Sequence, residues 1–171
     1  FDTKYIRVFG GALHGAEIDK AVGVAVETLD KMAEAVAPVN IAVETHDDWV
    51  ASALLARVMD QVSAGNVGVL WDLHHPFRLN GETPTETYEN IGKRVIYTHI
   101  KDSRVTDPQD HKHEYCLPGE GDVPNDQMIA LLVSGGYDGW LTLEWEKAWR
   151  PSIPDPEVAL PAYAEYLKQF K

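Results

Sequence analysis

The sequence is poor in cysteine and in long apolar runs. Its 171 residues contain one cysteine, Cys116, which excludes an intrachain disulfide and a C-x-x-C zinc motif. No run of about eighteen apolar residues occurs, and no basic segment followed by an apolar one stands at the start, so we expect neither a membrane span nor a targeting segment. A single cysteine favours a reducing, cytoplasmic setting.

Positive charge is also scarce. Lysine and arginine number 15 against 27 aspartate and glutamate residues, which gives a formal net charge of -12. This charge repels phosphate backbones and anionic lipid surfaces, so we expect no nucleic-acid partner and no membrane partner. Neither G-x-G-x-x-G nor G-x-x-x-x-G-K-[ST] is present, which removes the usual reason for nucleotide binding. A small molecule chelated by a metal is the better-matched partner.

The chain alternates between two hydrophobic periods. Short apolar runs typical of buried strands alternate with segments whose apolar residues recur every three or four positions, which is typical of helices. Strands are predicted at 5–9, 39–43, 67–73, 94–100 and 140–143, with a short extended piece near 115–117. Helices are predicted at 18–36, from Asp47 or Asp48 to Val62, and at 86–93, 125–133 and 157–170. The segment containing Pro76, Gly81 and Pro84 and the polar segment after residue 100 are predicted to be loops.

These segments make six β/α units on a period of about thirty residues, which indicates a parallel sheet. Either an open doubly wound sheet or part of an eight-unit barrel of about 250 residues fits this pattern. The absent nucleotide motifs, and a start at Phe1 almost directly in a strand, favour the barrel. We therefore predict an α/β fold: one domain over residues 1–171, of the TIM (β/α)8 type, lacking its first two β/α units.

Four predicted strands end in a side chain that can ligate a metal. The runs VNIAVE, VGVLWD, RVIYTH and WLTLE close with Glu44, Asp72, His99 and Glu144. Because the carboxyl ends of barrel strands form the active-site rim, three carboxylates and one imidazole would share that rim. Taken alone, Asp72 is equally well a helix cap or turn cap. Glu146 competes with Glu144, since side chains two apart on a strand share a face.

Three carboxylates at one rim repel each other, so a divalent cation is their natural neutraliser. Oxygen-rich ligation with one histidine suits Mn²⁺, Mg²⁺, Co²⁺ or Zn²⁺ and leaves positions open for substrate oxygens. The strand ends therefore predict a centre for one of these divalent metals.

Five motifs together resemble one family. They are ETHDD (44–48), DLHH (72–75), HIKDSR (99–104), PGEGDVPND (118–126) and GGYDGWLTLEWE (135–146). In this combination the chain is similar to the sugar phosphate isomerase/epimerase family of xylose isomerase-like TIM barrels. The same superfamily includes ketose 3-epimerases, inosose dehydratases and endonuclease IV. The resemblance covers nearly the whole chain from the third strand onward and points to the superfamily rather than to one reaction within it.

The resemblance implies roles for individual residues. It implies a divalent metal held by Glu44, Asp72, His99 and Glu144. Contacts to the substrate are implied for His75, Lys101, Arg104, His113 and His46. For all of these except His75, a solvated loop position explains the residue equally well.

The reaction that the resemblance implies is metal-dependent proton transfer. An isomerase or epimerase of a sugar, sugar phosphate or polyol would pass through a metal-stabilised enediolate, with Glu44 and Glu144 as the catalytic residues that remove and return the proton. A dehydratase of an inosose-like substrate and an inactive barrel remnant are two alternatives. The third is an endonuclease IV-like phosphodiesterase that uses His75, His99, His111 and His113. An unclosed barrel exposes two sheet edges, so the expected consequence is association into a homo-oligomer, truncation of a longer protein, or low activity.

Overall fold

The computed structural model describes residues 2–107, 109 and 112–170. Its strands over these residues are β1 (Tyr5–Val8), β2 (Asn40–Glu44), β3 (Val67–Asp72), β4 (Val95–Ile100), β5 (Asp102–Asp107), β6 (Lys112–Cys116) and β7 (Leu141–Leu143). Five of them form a parallel sheet in the order β1-β2-β3-β4-β7, and β5 pairs with β6 in a separate antiparallel hairpin. The predicted fold class is confirmed: the sheet is a partial α/β barrel of the TIM type.

Helices connect the parallel strands. They are α1 (Ile18–Val36), α2 (Ser52–Met59), α3 (His74–Asn80), α4 (Pro84–Ile91), α5 (Asn125–Ser134) and α6 (Pro156–Tyr166). Short 3-10 turns cover Asp47–Trp49, Gly92–Arg94 and Leu167–Phe170. Among the described residues, no helix combines the length and the apolar character that crossing a bilayer requires.

Helix α1 and strand β3 show why the apolar periods predicted these elements well. Helix α1 buries Val22, Leu29 and Ala33, which lie on one face, and it ends at Val36, shortly before Pro38. Strand β3 is buried along nearly its whole length, because helices cover one side of the sheet and the barrel interior covers the other. Strands of parallel sheets therefore appear as continuous apolar runs rather than as alternating ones.

The sheet curls, so that its edge strands approach each other across the interior. The rings of Tyr5 on β1 and Tyr97 on β4 have centroids 5.4 Å apart, although β2 and β3 lie between these strands in the sheet. Further along the interior, Arg7 Nη2 on β1 lies 3.8 Å from an oxygen of Glu144, which follows the opposite edge strand β7. This curvature brings residues from both edges of the sheet to one site.

The sixth predicted unit differs from the structure. The extended piece near 115–117 does not join the parallel sheet, because β6 pairs antiparallel with β5 in a register that joins Asp102 to Cys116. Strand β7 instead pairs directly with β4. An alternating run predicts a strand but not its partner, so the sequence pattern counted six units where the sheet contains five parallel strands.

Two loop predictions also differ from the structure. The segment that contains Pro76 forms helix α3, in which Pro76 is the third residue. A proline in the first helical turn removes no intrahelical hydrogen bond, so it does not exclude a helix there. The polar segment after residue 100 contains the β5–β6 hairpin instead of an irregular loop.

Candidate metal centre

The four strand-end residues predicted as metal ligands lie together. Each offers one ligand atom, and these atoms all lie within 4.8 Å of one another. We call this group the rim cluster. Its members are Glu44, Asp72, His99 and Glu144.

Strand register explains how the rim cluster assembles. Glu44 and Asp72 are the last residues of β2 and β3, and Asp72 is paired in register with His99 of β4. Glu144 directly follows β7, and its backbone N–H donates to Ile100 O at 3.0 Å, which fixes it beside the end of β4. Parallel strands in this register finish at the same level, so side chains far apart in sequence meet.

The His99 imidazole lies between two carboxylates. Its Nδ1 is 2.9 Å from Glu44 Oε1 and 3.3 Å from Glu144 Oε1. Burial by itself lowers the pKa of His99, but the hydrogen bonds and charges of these carboxylates outweigh it and raise that pKa to about 9. Burial by itself raises the pKa values of Glu44 and Glu144. The hydrogen bond and charge of His99 help to outweigh burial, and both pKa values are lowered. Both carboxylates are therefore ionised.

Lys101 contributes a buried cation to the same site. Its side chain is 1% exposed, and its Nζ lies 3.0 Å from Asp72 Oδ2 and 3.2 Å from Glu146 Oε1. Nζ also forms an ion pair with Glu144 Oε2. Burial alone would lower the pKa of Lys101, but the neighbouring carboxylates raise it well above its usual value. The sequence predicted that Lys101 contacts substrate oxygens or phosphate, whereas here its ammonium faces carboxylates of the protein.

Arg7 and Glu146 belong to the site, although sequence reasoning did not assign either one to it. Arg7 Nε donates to Glu44 Oε2 at 2.6 Å, and its guanidinium lies 4.9 Å from the centre of the Phe9 ring. Glu146 joins the site through Lys101. The strand-face rule that related Glu146 to Glu144 was the available signal for Glu146. Arg7 could have been found by asking which polar side chain lies near the end of β1.

His75 and His74 flank Asp72 in different ways. The Asp72 Oδ1 accepts the backbone N–H groups of both histidines at 2.9 Å, which satisfies donors at the start of α3. His75 Nδ1 lies 2.9 Å from Thr45 O, and the other ring nitrogen, Nε2, does not take part in this hydrogen bond. His74 is fully buried, its Nε2 is 2.9 Å from Ser103 Oγ, and burial lowers its pKa to about 2.

Of the other predicted substrate contacts, two lie near the site and one does not. The His46 ring is 5.0 Å from His75, and the His113 ring is 5.2 Å from His74, so both extend the imidazole surface beside Asp72. Arg104 is instead exposed, and its Nε donates to Glu120 O at 2.6 Å on the neighbouring loop. The structure therefore does not bring Arg104 to the rim cluster. His111 lies outside the described residues.

Asp102 connects two of the sequence motifs. Its buried carboxylate accepts backbone N–H groups from Ser103 at 2.8 Å, Gly119 at 2.9 Å and Gly121 at 3.0 Å. Burial raises the pKa of Asp102, and these donors oppose the rise. A Cβ on Gly121 would lie 2.0 Å from Asp102 Oδ1, so only glycine permits this approach. The Asp102 carboxylate of the HIKD motif thus binds the backbone of the PGEGD motif and holds the two segments together.

The donor set fits a divalent ion. The Asp72 carboxylate is fully buried, and its Oδ2 accepts no well-aligned hydrogen bond from the described residues, although Lys101 Nζ is nearby. Buried acceptors without a hydrogen bond are uncommon in proteins unless a cation or another partner compensates them. Three carboxylates with one imidazole are also the donor types that Mn²⁺, Mg²⁺ and Zn²⁺ use in proteins.

The fold is a partial parallel barrel that brings three carboxylates and an imidazole together at its strand ends. The family described as Xylose isomerase-like TIM barrel matches residues 1–170, and the chain belongs to this family.

The chain is also similar to individual proteins, and the solved structures among them share its fold. The chain is 27% identical over 126 residues to an inosose dehydratase of Clostridium botulinum (strain Eklund 17B / Type B). This alignment covers 66% of this chain and 41% of that protein. The IOLI protein with a binding zinc atom superposes with a TM-score of 0.77 at 19% identity over 96% of this chain and 62% of that chain. A D-tagatose 3-epimerase-like protein gives 0.75 at 21% identity, over 99% and 62%. The chain therefore spans about two-fifths of the length of its curated relatives.

Proposed function

We propose that the chain carries the centre of a divalent-metal-dependent isomerase or epimerase that acts on a sugar, sugar phosphate or polyol. The observation that carries this proposal is the convergence of four ligand atoms within 4.8 Å at the ends of β2, β3, β4 and β7. The D-tagatose 3-epimerase-like neighbour and the zinc atom in the IOLI protein support it.

Glu44 and Glu144 are the proposed proton-transfer residues. A bound divalent ion would polarise adjacent carbonyl and hydroxyl oxygens and stabilise an enediolate. Glu44 and Glu144 come from strands that β3 and β4 separate in the sheet, so the two carboxylates approach the site from different sides. One carboxylate would remove the proton from carbon, and the other would return it to the neighbouring carbon or to the opposite face. Their lowered pKa values keep both carboxylates ionised, which is the form that a general base requires.

His75 and His46 are the proposed substrate contacts. Their rings are adjacent, and His75 is held by Thr45 O, which leaves one ring nitrogen available for a hydroxyl group. His113 extends this surface along the hairpin. Several imidazole nitrogens beside a metal centre suit a substrate with several hydroxyl groups, as sugars and polyols have.

Dehydration of an inosose-like substrate is the second candidate. The inosose dehydratase of Clostridium botulinum supports this reaction as directly as the epimerase-like neighbour supports isomerisation. Both reactions begin with removal of a proton beside a carbonyl, and they differ in whether a hydroxide then leaves. The net charge of -12 argues against the phosphodiesterase alternative, because that substrate is a polyanion.

The test is hydrogen exchange in D₂O. The chain loaded with Mn²⁺ or Zn²⁺ is incubated with ketoses and inososes, and NMR follows deuterium at carbon. Deuterium incorporation with an isomeric product supports the isomerase, and loss of water selects the dehydratase. Glu144→Gln should abolish exchange, whereas the exposed Glu165→Gln should leave it unchanged, because Glu165 lies on α6 away from the rim cluster.

Metal content is measured on the same samples. Glu44→Gln and His99→Ala each remove a proposed ligand, so both should reduce the bound metal. Metal content equal to that of the wild type in both variants would contradict the proposed centre.

A further inference from the structure

Lys101 is in an unusual position for a lysine. The side chain is 1% exposed, and its ammonium lies among the carboxylates of Asp72, Glu144 and Glu146. An ammonium has three N–H donors, and three carboxylates surround this one. Glu144 and Glu146 each accept a hydrogen bond from Nζ, and Asp72 Oδ2 faces Nζ at 3.0 Å, so all three contacts of the ammonium are to carboxylates of the protein.

The backbone holds Lys101 firmly at this site. Lys101 directly follows β4, and its carbonyl oxygen accepts a hydrogen bond from Asn125 Nδ2 at 3.2 Å. The preceding residue, Ile100, accepts the backbone N–H of Glu144 at 3.0 Å. These contacts fix the start of the side chain, and the side chain itself is buried.

We propose that Asp72, Glu144 and Glu146 form a second cation site, and that Lys101 fills this site with its own ammonium, so that the centre takes one divalent ion. The inference rests on the proposed function, because it assumes a first divalent ion at the rim cluster. Two observations besides the grouping of carboxylates support it. An ammonium already lies at the site, and Asp72 Oδ2 is buried without a well-aligned hydrogen bond from the described residues.

Charge balance gives the physical reason. The site contains four carboxylates, those of Glu44, Asp72, Glu144 and Glu146. An imidazole that ligates a metal is neutral, so the charge of the four carboxylates is matched by one divalent ion together with Lys101 and Arg7. Without the ammonium, a buried negative charge would remain among closely spaced oxygens, and a hard cation would be attracted to it.

The experiment counts bound ions. Equilibrium dialysis against Mn²⁺, with metal analysis, is performed on the wild type, on Lys101→Met and on the double variant Lys101→Met/Glu146→Gln. We expect one ion for the wild type and two for Lys101→Met. The double variant should bind one ion again, because it loses a ligand and the excess negative charge together. A general loss of structure would not add a second ion in Lys101→Met and remove it again in the double variant.

An electron paramagnetic resonance spectrum of the wild type tests the inference without any variant. Two Mn²⁺ ions about 4 Å apart would be magnetically coupled, whereas the proposal expects an uncoupled signal. A coupled signal, or two ions in the wild type, would overturn the inference. One ion in both the wild type and a folded Lys101→Met would overturn it while leaving the proposed function intact. A wild type that binds no ion would overturn both.

Discussion

At the scale of single residues, Arg7 competes for a proposed metal ligand. Its guanidinium contacts Glu44 Oε2 through Nε and Nη2, and its side chain is 37% exposed. An ion bound at the rim cluster would have to share this oxygen or displace the guanidinium. The contact also differs from that of Lys101, because an exposed side chain can turn away into solvent at little cost.

Arg7→Met is therefore expected to strengthen binding of a divalent ion. A partly exposed ion pair contributes about 1 kcal/mol or less, so the dissociation constant should fall by roughly threefold to fivefold. Titration calorimetry with Mn²⁺ at low salt measures the change. Arg57→Met is the matched control, because Arg57 pairs with Asp19 on the helical surface. Weaker binding in Arg7→Met would show that Arg7 positions Glu44 and does not compete for it.

Individual site residues could be predicted from the sequence where strand ends were visible. Glu44 and Asp72 each close an apolar run, and parallel strands end at a common edge, so their proximity followed from local pattern alone. The partners of Lys101 could not be predicted in this way. They depend on the direction of a long side chain across a curved sheet, and no local period encodes that direction.

At the scale of helices, Glu82 connects α2, α3 and α4. Its buried carboxylate accepts the Ser52 N–H at 2.9 Å at the start of α2 and Asn80 Nδ2 at 2.7 Å at the end of α3. It also accepts Thr87 Oγ1 at 2.7 Å within α4. One side chain therefore satisfies donors of three helices.

Glu82→Ala should destabilise the chain by about 2–4 kcal/mol, because it leaves several buried donors without an acceptor. Urea unfolding followed by circular dichroism gives the free energy of unfolding. Glu89→Ala removes an exposed carboxylate from α4 and should change that free energy by less than about 0.5 kcal/mol. Equal effects of the two substitutions would contradict the connecting role of Glu82.

Secondary structure was predicted well where the apolar period of an element marks its own ends, and poorly where a partner strand decides the structure. Helix α1 was predicted over the same range as observed, because its buried stripe and the following proline define both ends. The β5–β6 hairpin was missed because its strands are partly exposed and polar, so their pairing is decided by a partner strand rather than by an apolar face.

At the scale of the whole molecule, one ion would join four strands. The rim cluster takes its members from β2, β3 and β4 and from the residue after β7, so binding there would oppose opening of the sheet. Binding to the folded state alone stabilises it by mass action.

When the concentration of the divalent ion is about one hundred times its dissociation constant, binding should raise the free energy of unfolding by about 2.7 kcal/mol. For a chain of this size, this corresponds to a rise in Tm of roughly 5–10 °C. Thermal denaturation by circular dichroism, with Mn²⁺ and then with a chelator, checks the rise and its reversal. His99→Ala should show no rise, and Glu27→Gln, an exposed change on α1, should show the full rise. The same rise in both variants would place the ion elsewhere.

The sequence by itself determined the alternation of strands and helices, the fold class and the four strand-end side chains, because each depends on local period and on the common edge of parallel strands. The tertiary structure decided that Arg7 reaches Glu144 from the far edge of the sheet, that Lys101 lies among carboxylates, and that Arg104 turns to another loop. These contacts arise from the curvature of the sheet and from side-chain direction. Both are properties of packing in three dimensions, which a one-dimensional pattern does not contain.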